Sequence, residues 1–174
     1  MNTFDLQRRR LGQWAAAGLG MLAFGSLHAQ SGSGGVAVEV WKDASCGCCG
    51  DWITHMGQNG FKVTVHDTGN NAVRARLGLP NKYGSCHTGL VGGYVVEGHV
   101  PAADVQRLLR EKPQALGLAV PGMPIGSPGM DGAAYGGRRD RYDTLLVSRD
   151  GSSRVFQSHA WVDYRVFLAR SVLG

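Results

Sequence analysis

The chain has 174 residues, 27 of them glycine, a net charge of +5 and 43% hydrophobic residues. The basic residues are spread out rather than gathered into a stripe, which argues against a nucleic-acid partner. With no internal repeat and no second long apolar stretch, the composition fits one folded domain.

The first 29 residues read as an export signal. MNTFDLQRRR supplies the positive start, LGQWAAAGLGMLAFGS the apolar run, and Ala29 a small residue before a cut. The apolar run is short for a membrane span, although an uncleaved anchor is the rival reading. Arg8-Arg9-Arg10-Leu11 resembles a twin-arginine signal without its fuller consensus, so the export route stays open. Residues 30–35 then form a flexible SGSGG-type linker, and the mature domain faces an oxidising, periplasmic space. Without Asp5 and the three arginines the net charge falls to about +3, over about 145 residues.

Residues 36–41, VAVEVW, read as a strand that runs straight into a cysteine turn. A helix is expected from Asp51 to Asn59, with Trp52, Ile53 and Met56 on one face and Gly60 as its stop. FKVTVHD (61–67) alternates as a strand, and 70–77 form a short helix ended by Gly78 and Pro80. TGLVGGYVVEG reads as a hairpin turned at Gly92-Gly93. Pro101 opens a helix with Val105, Leu108 and Leu109 facing inward. A Gly/Pro/Met-rich loop follows Pro113, then strands at 142–148 and 153–157, turned at Arg149-Asp150-Gly151. The tail 158–174 is held as helical.

Chemistry concentrates in DASCGCCGDW, which crowds Cys46, Cys48 and Cys49 into one turn, with Cys86 following in YGSCHTG. Strand, cysteine turn and helix in succession suggest a thioredoxin-like redox site, with Cys46 and Cys49 as its C-x-x-C. A helix N-terminus there favours thiolates. A third thiol obstructs two-thiol chemistry but suits a soft metal, and thiolates can bridge Cu(I) ions. Two further readings compete: a disulfide framework, which C-x-C-C serves badly, and structural zinc, which normally uses paired C-x-x-C knuckles. Met123 and Met130, in PGMPIGSPGM, have neither helical nor strand spacing and add soft thioethers, expected beside the cysteines. His87 is a ligand candidate or a neighbour tuning one. His55, His66 and His159 read as structural or exposed, His99 as satisfying backbone groups before a helix, and Met56 as core.

The motifs CGCCGDW (46–52), GF (60–61), SCHTG (85–89), EGHVPAADVQRLL (97–109) and GLAVPGMPIGSPGM (117–130), in that order, resemble the CopG family of periplasmic copper-resistance proteins. The resemblance covers roughly 36–157 and implies a single α/β, thioredoxin-like domain with a Gly/Pro/Met-rich C-terminal extension and an extra hairpin. It also implies a copper site at Cys46, Cys48, Cys49 and Cys86, with the Met123/Met130 loop as metal-binding extension; bridging thiolates make a multinuclear, cysteine-bridged cluster the expected form. The function expected is copper resistance, by binding and by interconverting Cu(I) and Cu(II). Whether this amounts to catalysis by a copper oxidoreductase is left open. A monomer that exchanges copper with efflux or chaperone proteins is expected. The rival functions are a metal-free thiol–disulfide oxidoreductase and a structural zinc module.

Overall fold

The computed structural model describes residues 35–160. The expected export signal, most of the linker and residues 161–174 of the tail lie outside the described residues. Among the described residues the architecture is mixed α/β, with three α-helices and one seven-stranded sheet. In chain order the elements are β1 (Val36–Lys42), α1 (Gly47–Gln58), β2 (Phe61–His66), α2 (Asn71–Arg76), β3 (His87–Val91), β4 (Tyr94–Glu97), α3 (Ala102–Glu111), β5 (Gly117–Ala119), β6 (Tyr142–Val147) and β7 (Ser153–His159). Among the described residues, no helix is long and apolar enough to cross a membrane.

The sheet runs β2-β1-β3-β4-β5-β6-β7, with parallel pairs at β1/β2 and β4/β5 and antiparallel pairs elsewhere. Paired residues share a face, so Val40, Gly89, Val96, Leu118 and Leu146 form one row across five strands. Against that face pack Trp52 and Met56 of α1 and Val105 and Leu108 of α3, all fully buried. The alternate residue Val95 packs on the other face with Leu79, Tyr83, Leu116 and Val147. Met56 is therefore core, as its helical spacing suggests.

The same topology collects chain ends at one edge. Lys42 at the end of β1 pairs with His87 at the start of β3, and Thr88 pairs with Glu97 at the end of β4. Glu97 in turn pairs with Ala119 at the end of β5. The cysteine turn after β1, the Cys86 loop before β3, the His99 link after β4 and the methionine loop after β5 all leave the sheet at this edge.

Three expectations need correction. α1 starts at Gly47 rather than Asp51, so Cys48 and Cys49 lie in its first turn and Cys46 caps it. The region after Pro113 is not all loop, because Gly117–Ala119 form β5 between β4 and β6. The tail does not turn helical at 158, since β7 continues to His159 through its pairing with Tyr142.

Candidate metal centre

The turn that delivers the first three thiols is fixed locally. The Asp43 carboxylate accepts from the Ser45 amide at 2.9 Å and its hydroxyl at 2.6 Å, while Cys46 N–H donates to the Asp43 carbonyl at 3.0 Å. Cys46 and Cys49 are joined in a disulfide, and Cys48 and Cys86 are free thiols. Cys48 Sγ lies 3.6 Å from Cys46 Sγ, and Cys49 Sγ lies 3.7 Å from the Cys86 carbonyl oxygen. The sulfurs of Cys46, Cys48, Cys49 and Cys86 all fall within 4.8 Å of one another. The first amides of α1, which lack partners within the helix, belong to the same turn.

Cys86 also belongs to a second cluster. Its Sγ is 3.1 Å from His99 Nε2 and 3.4 Å from His87 Nδ1, and these ligand atoms again fit within 4.8 Å. Both imidazoles are fully buried, His87 tilted against Trp52 and edge-on to His99. Burial, aided by the neighbouring His99, pushes the His87 pKa down to about 3, and burial also lowers that of His99. Each ring is thus neutral near pH 7 and keeps a lone pair for a metal. Burial, followed by the charge of Cys48, pushes the Cys86 thiol up to about 12. A metal at Cys86 must therefore displace a proton.

Behind Cys86 lies a buried polar network. Glu97, fully buried, accepts from Arg74 Nε at 2.8 Å, the Ser85 amide at 2.7 Å and the Thr88 hydroxyl at 2.6 Å. The Ser85 carbonyl accepts in turn from Arg74 Nη2 at 2.6 Å and Asn70 Nδ2 at 3.2 Å. Both backbone groups of the residue before Cys86 are thereby held, and α2 exists largely to present Asn70 and Arg74 to them. Burial raises the Glu97 carboxyl, while the donors around it pull the other way. The pair at 2.8 Å argues for the charged form.

The methionine loop touches both the Cys86 loop and the first turn of α1 through its backbone. Gly122 donates to the Gly84 carbonyl at 3.2 Å and accepts from the Ser85 hydroxyl. Gly129 lies against the first turn of α1: a Cβ there would sit 2.7 Å from the Cys48 carbonyl oxygen. Met130 is buried and its Sδ accepts from the Tyr135 hydroxyl at 3.2 Å, whereas Met123 is 52% exposed. The other described histidines have structural partners: His55 Nε2 accepts from Ala102 N–H, His66 stacks on Trp41, and His159 bonds Asp104. His99 is the residue that the sequence reading misplaced, since its ring faces Cys86 rather than backbone alone. The hairpin register could have found it: two steps beyond Thr88↔Glu97, Cys86 falls opposite His99.

A family model described as a protein of unknown function, DUF411, matches residues 83–130, which contain Cys86, His87, His99 and both loop methionines but not C-x-C-C. Two solved structures of a copper resistance protein CopG, form 1 and form 2, are 49% and 50% identical to this chain. They match with a TM-score of 0.67, over 73% and 72% of this chain and 99% of each of theirs. The chain belongs to the CopG family. No curated protein matches it. This CopG relative thus gathers four cysteine sulfurs, two of them in a disulfide that must open before all four can hold a metal ion, with two imidazoles adjoining them.

Proposed function

We propose that this is an exported copper-handling protein, cleaved near Ala29 and working in the periplasm, that binds Cu(I) through Cys46, Cys48, Cys49 and Cys86. The observation that carries this reading is the convergence of four sulfurs within 4.8 Å at one sheet edge. Crowded thiolates favour Cu(I) over harder ions and can bridge more than one, so a multinuclear cluster suits the site. The names of its solved relatives support copper over zinc. Met123 and Met130 are assigned as additional thioether ligands because their loop is anchored beside Cys48 and Ser85. The order β2-β1-β3-β4, with a C-x-x-C disulfide at the start of α1, supports a thioredoxin-like reading of residues 36–111, extended by β5, β6 and β7.

The disulfide supports redox interconversion as well as storage. Opening Cys46–Cys49 to two thiols takes up two electrons and two protons, which balances oxidation of two Cu(I) to two Cu(II). The reverse reduces two Cu(II). The protein acts as a monomer that receives or hands over copper to efflux or chaperone proteins.

A metal-free thiol–disulfide oxidoreductase is the second reading, favoured by that same disulfide. Cys48→Ser separates the two. Under the copper reading, protein isolated from copper-fed periplasm contains copper, and the variant loses most of it. Undiminished disulfide exchange with no copper in either protein, or zinc in place of copper, overturns the proposal.

A further inference from the structure

His99 is held at both of its ring nitrogens. Nδ1 lies 2.8 Å from the Pro128 carbonyl oxygen and Nε2 lies 3.1 Å from Cys86 Sγ. A neutral imidazole carries one N–H and one lone pair, and a carbonyl oxygen can only accept. The proton therefore belongs on Nδ1, which leaves the Nε2 lone pair facing the thiol. His87 faces the same sulfur from 3.4 Å, but its Nε2 is buried without a hydrogen bond of ordinary geometry. Of the two imidazoles, His99 has the outer partner that a metal-bound histidine normally requires.

The Pro128 carbonyl reaches His99 because of the residue that follows it. Gly129 adopts φ +86°, and a Cβ there would lie 2.8 Å from Trp52 N and 3.3 Å from His99 Nδ1, besides its clash with the Cys48 carbonyl. Only glycine lets the loop rest directly on the first turn of α1. The loop is also tied internally, by Ser127 Oγ–H to Pro124 O at 2.7 Å and by Gly126 N–H to Met130 O at 2.8 Å.

We propose that His99 Nε2 is a metal ligand sharing its ion with Cys86, and that the Gly126–Met130 loop is the positioning element that fixes its tautomer through the Pro128 carbonyl. This rests on the copper reading. It gives the extension a role independent of its thioethers, and it widens the substrate: imidazole accepts Cu(II), whereas a sulfur-only site would select Cu(I).

Two measurements test the proposal. In reduced, metal-free, 15N-labelled protein, long-range 1H–15N spectra should show His99 with its proton on Nδ1. They should show the same in the Met123→Leu/Met130→Leu variant, which keeps the loop. An Nε2–H tautomer overturns the assignment. In protein loaded with Cu(II) alone, electron spin-echo spectra should show 14N coupling that His99→Gln removes and His55→Gln leaves intact. Gly129→Ala should lower Cu(II) affinity by roughly 10- to 100-fold, the usual cost of losing an outer partner. Copper bound with unchanged 14N coupling in His99→Gln sinks this inference and leaves the sulfur site standing. Wild-type protein that takes up no copper at all overturns both together.

Discussion

Cys46, Cys48 and Cys49 are brought together by four residues of chain and one strand-to-helix turn, whereas Cys86, His87 and His99 meet only because β3 and β4 form a hairpin in the correct register. The first group rests on local bonds around Asp43, at an exposed turn. The second is buried against Trp52 and braced by the Arg74–Glu97 pair. Their outer layers differ accordingly. The α1 turn holds the Cys46–Cys49 disulfide beside the free Cys48 thiol, while the Cys86 arm presents one thiol and two neutral imidazoles from a hydrogen-bonded, braced loop. A sulfur arm facing a mixed sulfur–imidazole arm offers ligand types suited to both Cu(I) and Cu(II), in line with the proposed function.

The largest effect should come from breaking the brace. Glu97→Ala leaves the Arg74 guanidinium buried without its carboxylate and frees the Ser85 amide. Urea unfolding should show a loss of about 3–5 kcal/mol, the range for splitting a buried pair. A loss below about 1 kcal/mol would mean that the two arms are equally local. Asp43→Ala, at the exposed arm, should cost far less, since water can replace the turn bonds it loses.

A second test uses pH. The Cys86 thiol is held protonated to about 12, so across neutral pH its ligation must release a proton. Copper affinity should then rise with pH, by roughly tenfold per unit from this one group, between about pH 6 and pH 8. In Cys86→Ser that part of the slope should vanish. An unchanged slope would place the metal on the α1 thiols alone.

How much of this was legible in the sequence follows the same division. The α1 arm could be read directly, because the thiols are neighbours in the chain and the apolar spacing of Trp52 and Met56 marks the helix behind them. Its start was misjudged, since Gly47 and Gly50 are poor helix formers and hide the first turn. β5 was missed because it is three residues long and begins at Gly117, where a Cβ would lie 1.9 Å from the Val95 carbonyl oxygen. That close approach between strands is invisible without the fold. The same holds for Arg74, which looks like a solvated helix residue, and for Glu97 and His99, whose partners are set by strand register rather than by spacing.

A small stability effect is also expected at the methionines. Met123→Leu/Met130→Leu conserves volume, so unfolding should shift by less than about 1.5 kcal/mol, even though Met130 loses the Tyr135 bond. Cu(I) affinity should nevertheless fall if the thioethers are ligands. Affinity equal to the parent's would make both of them packing residues, and would leave Pro128 as the extension's sole tie to the metal.

The proposed copper site joins the two arms through Cys86. Anaerobic titration of the fully reduced protein with Cu(I), against a competing chelator and alongside Cys86→Ser, tests it most directly. The parent should bind at least two ions tightly per chain, and the variant should lose tight binding. Fewer than two ions in the parent would contradict the multinuclear site, and undiminished binding in Cys86→Ser would contradict the joining of the arms.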